Sequence, residues 1–153
     1  MKTLLHTTTF ILLTFMFTSC IKVVNTPQPV ISPLAGSWVL TSAQEGDANG
    51  WSLFYAGVEN GIFDLYNDGA ATYSETNTTM QGSWYINNVN SSYYDEYGRF
   101  YNGPHQQLTI HVSNNSSHSS IDLNFDYVYV YGSRFVATYF NGTYIERYYF
   151  DIY

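Results

Sequence analysis

From Ser37 onward the chain alternates apolar and polar residues in short runs, and Gly, Asn and Asp separate the runs. A period of two is the mark of strands with one buried face. Eight strands are predicted on that basis: Ser37–Thr41, Gly61–Tyr66, Ala70–Glu75, Gln81–Asn87, Gln106–Val112, Ile121–Tyr131, Arg134–Phe140 and Thr143–Ile152. Trp38 and Leu40 share a face of the first. In the sixth, Ile121, Leu123, Phe125, Tyr127, Tyr129 and Tyr131 fall together opposite Asp122, Asn124, Asp126, Val128 and Val130. Asp68-Gly69 and Asn141-Gly142 are hairpin signals, because both residue types tolerate positive φ. Two long polar loops are expected, Ala43–Asn60 and Asn88–His105, with a shorter turn at Ser113–Ser120.

Eight consecutive strands joined by turns predict an all-β fold, an antiparallel up-and-down barrel over 34–153 whose interior holds side chains or one small ligand. An open β-sandwich is the alternative. Composition agrees with strands: aromatics make up 19% of the 153 residues, with 16 Tyr and 10 Phe, while charged residues are only 11%. A second Gly-Ser-Trp at 82–84 echoes the one at 36–38 without repeating its surroundings.

The first 33 residues read differently. Lys2 precedes an apolar run ending at Phe17, and Thr18-Ser19-Cys20 follows, the three parts of a secretory signal over 1–19. The run is shorter than the roughly 20 residues a spanning helix needs. Cys20 is the only cysteine, so no internal disulfide and no Cys-rich metal site can form. Its place after Thr-Ser resembles the lipobox of bacterial lipoproteins. That resemblance implies a diacylated Cys20 thiol, cleavage before it and an acylated new amino terminus, hence a stable membrane anchor. Residues 20–33, with Pro27, Pro29 and Pro33, then form a tether reaching about 40 Å. The tether lacks an acidic cluster resembling the surface-export signals of Bacteroidetes lipoproteins, so the lipoprotein resemblance implies an outer-membrane anchor facing the periplasm.

Gly36-x-Trp38 on the first strand, the long loop after it and Arg147 on the last strand resemble the lipocalin signature. The whole of 34–153 is similar to the lipocalin-like domains of Bacteroidetes lipoproteins. The resemblance implies that Arg147 stacks over Trp38 at a closed barrel end, a contact contributing roughly 0.5–2 kcal/mol.

Candidate chemistry is sparse. His105, His111 and His118 lack the spacing of metal ligands and are expected as solvated surface residues. Asp122 and Asp126 would lie about 13 Å apart on one face, beyond the reach of a glycosidase pair. Asp95-Glu96 is expected to pair with Arg99 in a loop, and no Gly-x-Ser-x-Gly nucleophile motif occurs. No catalytic residue, metal site or cofactor is therefore assigned. A formal charge of −7 with five Lys plus Arg excludes nucleic-acid binding through clustered cations. The suggestive residues are the loop aromatics: Trp51, Phe54 and Tyr55 in one, Tyr93, Tyr94, Tyr97 and Tyr101 in the other. At one barrel mouth they would line a site for a small apolar ligand, or present rings to a glycan or protein partner.

Overall fold

The computed structural model describes residues 33–47 and 49–153. The expected signal, Cys20 and all of the tether but Pro33 lie outside the described residues. Ten strands are formed: β1 (Gly36–Asp47), β2 (Gly50–Leu53), β3 (Ile62–Leu65), β4 (Ala70–Glu75), β5 (Thr78–Tyr94), β6 (Phe100–Asn114), β7 (Ser119–Phe125), β8 (Tyr127–Tyr131), β9 (Arg134–Phe140) and β10 (Ile145–Ile152). There is no helix among the described residues. The protein is all-β, as the alternation predicts.

The strands form one antiparallel sheet in the order β7-β6-β5-β4-β3-β1-β10-β9-β8, with β2 paired to the upper half of β1. Each of the eight expected runs falls on strand, but the closed eight-stranded barrel does not form. β7 and β8 end the sheet and are not paired to each other. They are consecutive in the chain and separated by Asp126 alone, whose N–H donates to the Thr138 carbonyl while its carboxylate accepts from the Phe140 N–H.

Asp126 also changes which face is which. Phe125 and Val128 are both buried, so two residues stand between consecutive inward side chains and the alternation slips by one. Tyr127, Tyr129 and Tyr131 therefore point to the outer face, not to the face of Ile121, Leu123 and Phe125 as expected. A second irregularity, between Leu40 and Ser42 in β1, keeps Leu40 and Ala43 inward on either side of the slip.

The inner face forms one core. Trp38, 2% exposed, meets Phe135 edge-on at 4.8 Å, and Phe135 stacks on Phe150 at 4.4 Å. Phe125, Tyr148, Phe63, Tyr73 and Trp84 fill the remainder. Each Gly-Ser-Trp tryptophan satisfies its indole N–H with a backbone carbonyl at 2.8 Å, Trp38 on Leu34 and Trp84 on Tyr66. The echo thus reflects two buried indoles solving the same polar problem.

The expected loops are mostly strand. Within 43–60, β1 continues to Asp47 and β2 folds back on it, which leaves a shorter loop after Leu53. Within 88–105, β5 and β6 stay paired from Gln81↔Ser113 to Tyr94↔Phe100 and make a long hairpin arm. The Asn, Ser and Gly content of this stretch disfavours strand locally, but ladder bonds and the turn at its tip compensate. Asp95, 4% exposed, caps that turn: its carboxylate accepts from the N–H groups of Tyr97 and Arg99 and from the Arg99 side chain.

The arm crosses the outer face of the sheet. Tyr93 stacks on Tyr127 of β8 at 4.9 Å, the Tyr94 carbonyl accepts from Thr138 of β9, and the Glu96 carbonyl accepts from Arg147 of β10. Successive arm residues thus meet successive strands. Beneath the arm Thr138 is buried, and so is its outward neighbour Val136, so this region is covered on both faces.

Trp38→Ala should cost about 3–5 kcal/mol in urea melts, the range for emptying a large aromatic site. A loss under about 1 kcal/mol would show the indole to be peripheral.

Candidate functional site

The site begins at Arg147, and the structure corrects its expected partner. Trp38 pairs with Ile152, so Arg147 lies five residues along β10, about 17 Å away at strand rise. It also points outward, because Tyr148 and Phe150 point in. The Arg147–Trp38 stack implied by the lipocalin resemblance does not form.

Arg147 stacks instead on Trp51 of β2, with its guanidinium carbon 3.8 Å from the ring centroid. It donates to Gln44 Oε1 of β1 at 2.6 Å and to the Glu96 carbonyl of the arm at 2.8 Å. Trp51 fits because two glycines make room. A methyl group at Gly46, its cross-strand partner, would lie 2.6 Å from the indole, and one at Gly98 in the arm tip would lie 2.8 Å from it. One guanidinium therefore joins β1, β2, β10 and the tip of the arm.

Beside this junction is an open groove of about 380 Å³ lined by Glu96, Tyr97, Tyr129, Tyr131, Val136, Arg147 and Tyr149. Its walls follow from register. Tyr129, Val136 and Tyr149 sit side by side on β8, β9 and β10, giving two tyrosines with an apolar floor between them. Tyr131 follows Tyr129 two residues on, and their rings stack at 5.8 Å. On the opposite wall Arg147 and Arg134 flank Tyr149 at 5.2 and 5.8 Å. The arm tip supplies the overhang through Glu96 and Tyr97, the latter 65% exposed beneath the Arg99 guanidinium.

Burial, with Glu96 close by, pushes the Tyr127 hydroxyl above its ordinary value, and it donates to Glu96 Oε2 at 3.0 Å. Burial likewise raises Tyr149, against a smaller opposing pull from Arg147. The tyrosines of the groove offer O–H groups and ring edges to a ligand. Among the described residues it holds no arrangement of nucleophile, base and oxyanion donors.

Of the seven expected mouth aromatics, Trp51 and Tyr97 meet at this site. Tyr93 and Tyr101 stack together in the arm, Tyr93 also covering His105 at 4.2 Å. Tyr94 packs between Phe100 and Phe140. Phe54 turns to the core against Tyr148, and Tyr55 stands exposed near Asn60. His105, expected on the surface, is 8% exposed, with Nδ1 hydrogen-bonded to the Gly103 carbonyl. His111 is exposed and pairs with Asp122 across the ladder. Sequence reasoning missed Tyr129, Tyr131 and Tyr149 as site residues. The available signal was strand parity at Tyr149, which alternates with Tyr148 and Phe150.

Two outcomes follow. Gly46→Ala should displace the Trp51 ring, shift its indole N–H resonance and lower stability by about 1–3 kcal/mol; an unmoved resonance would contradict the packing. The hydrogen bonds from Arg134 hold the Asp151 carboxyl below its ordinary 3.8. A depressed folded value means that the stabilisation is present above the unfolded value and lost as pH falls through the folded one. Urea midpoints should therefore drop on acidification below about pH 4, and Arg134→Gln should flatten that slope; an unchanged slope would exclude the pair as its source.

No protein-family model, no curated protein and no solved structure matches this chain.

Proposed function

We propose that this is a lipid-anchored, non-enzymatic cell-envelope protein that binds a glycan in the outer groove between β8 and β10. The observation carrying the reading is the built groove itself: Tyr129, Tyr131 and Tyr149 over the Val136 floor, overhung by the arm tip that Arg147 holds down. Tyrosine combines an apolar body with a polar tip and loses little side-chain freedom on binding, which suits a hydroxyl-rich ligand. The anchor rests on Cys20 after its apolar run, with an outer-membrane, periplasm-facing location as the reading that goes with it.

The scaffold is read as a lipocalin-like barrel whose wall is parted between β7 and β8. Support comes from the single core shared by inner-face residues of β1 and β3–β10. A small apolar ligand inside that scaffold is the lesser reading, because Trp38, Trp84, Phe125 and Phe135 occupy the interior.

A glycan array probed with the intact chain should give hits that Tyr129→Ala combined with Tyr149→Ala abolishes, with the circular dichroism spectrum unchanged. An array without hits would count against the sugar, and hits that survive the double variant would count against the groove. For the anchor, Cys20→Ser should leave an unprocessed chain without incorporated fatty acid. Processed, labelled protein in that variant would overturn the lipobox reading.

A further inference from the structure

The described residues contain three Lys or Arg side chains, Arg99, Arg134 and Arg147, on a chain with twelve carboxylates. Arg147 lines the groove, and the other two lie against tyrosines that line it. Arg99 lies over Tyr97, Arg134 over Tyr149, and Arg147 between Trp51 and Tyr149. Twelve acids against three cations make the domain surface repel anions in general, so a cation that no carboxylate pairs marks the place where an anion can approach.

Two of the three are already neutralised. Arg99 is bridged to Asp95 at 2.7 Å, and both oxygens of Asp151 accept from Arg134. Arg147 differs: its two hydrogen bonds go to neutral oxygens, the Gln44 amide and the Glu96 backbone carbonyl. Its Nε is buried without a partner. The Glu96 carboxylate, which also lines the groove, is engaged by the Tyr127 hydroxyl at 3.0 Å. Arg147 thus carries a charge that no carboxylate among the described residues contacts within ion-pair distance, in a groove otherwise lined by four tyrosines, Val136 and the Tyr127-bound Glu96. Ring edges carry the positive end of the aromatic quadrupole and add to the preference for negative charge.

We infer that the groove takes an acidic sugar, a uronic-acid unit of a glycan whose carboxylate lies beside Arg147 and whose hydroxyls meet Tyr129, Tyr131 and Tyr149. This rests on the glycan reading and narrows it to a class. A carboxylate there makes a charge-assisted contact that a neutral sugar cannot make. Binding should weaken as salt rises, because the groove is open to solvent.

The test uses pairs of oligosaccharides identical in linkage and differing only in the carboxyl group. Fragments of galacturonan, mannuronan and hyaluronan, each beside its carboxyl-reduced counterpart, are titrated calorimetrically into the intact chain in detergent. In at least one pair the acid should bind tenfold or more tighter than its reduced form, with the gap closing at high salt. Arg147→Gln should remove the preference and Arg147→Lys should retain part of it. The comparison on the unaltered chain stands even if a variant fails to fold. Reduced forms that bind as tightly as the acids would overturn the acidic-sugar inference and leave the glycan reading standing. Failure of every member of every pair to bind would overturn both.

Discussion

The guanidinium of Arg147 is the contact on which the outer architecture depends. It stacks on Trp51 of β2, holds Gln44 of β1, and caps the Glu96 carbonyl at the arm tip, while itself belonging to β10. Cation–π stacking contributes roughly 0.5–2 kcal/mol, and hydrogen bonds from a charged donor about 1.5–3 kcal/mol. These add to the arm's other contacts with the sheet, the Tyr93–Tyr127 stack, the Thr138 hydrogen bond to the Tyr94 carbonyl and the Tyr127–Glu96 hydrogen bond. By itself the arm, the seven pairs from Asn88↔Gln106 to Tyr94↔Phe100, is a two-stranded ribbon rich in Asn, Ser and Gly, which is marginal in water. The strap thereby shapes the groove, since Glu96 and Tyr97 at the held tip form its overhang.

A single-residue slip decides which rings reach that strap. Had β7 and β8 run on without the irregularity at Asp126, Tyr127, Tyr129 and Tyr131 would have faced the core beside Phe125. With it, Val128 enters the core and the three tyrosines line the outer wall. The same residue marks where the two ends of the sheet part. Core and site thus use opposite faces of one set of strands: Phe135, Tyr148 and Phe150 pack inward while Val136, Arg147 and Tyr149 build the groove outward.

Much of this fold is legible in the chain, and the limits have physical causes. The strand cores are readable because a buried face imposes a period of two; the period breaks at Asp126 within the Ile121–Tyr131 run, and in Arg134–Phe140 the arm buries Val136 and Thr138 on the other face as well. The arm is unreadable, because its Asn, Ser and Gly residues interrupt any period of two and its order comes from cross-strand pairing, from Asp95 at its tip and from contacts such as Tyr93 on Tyr127 that lie far apart in the chain. The Asn141-Gly142 turn is placed correctly, yet it spans four residues, with Asn141 Oδ1 accepting from the N–H groups of Thr143 and Tyr144. Arg147 stands out as a lone cation on a core strand, but its partner does not, because parity and register together carry it away from Trp38. Trp51 and Tyr97 were visible as exposed aromatics; Tyr129 and Tyr131 were hidden by a slip that no local signal announces.

The strap turns on one coupling, that of Arg147 to Trp51. A double-mutant cycle with Arg147→Gln and Trp51→Leu, read by urea unfolding, measures it without assumptions about either residue alone. Coupling of about 1 kcal/mol or more is predicted. Additive losses, within about 0.3 kcal/mol of the sum of the two singles, would mean that the ring and the guanidinium are neighbours and nothing more, and the strap would lose its basis.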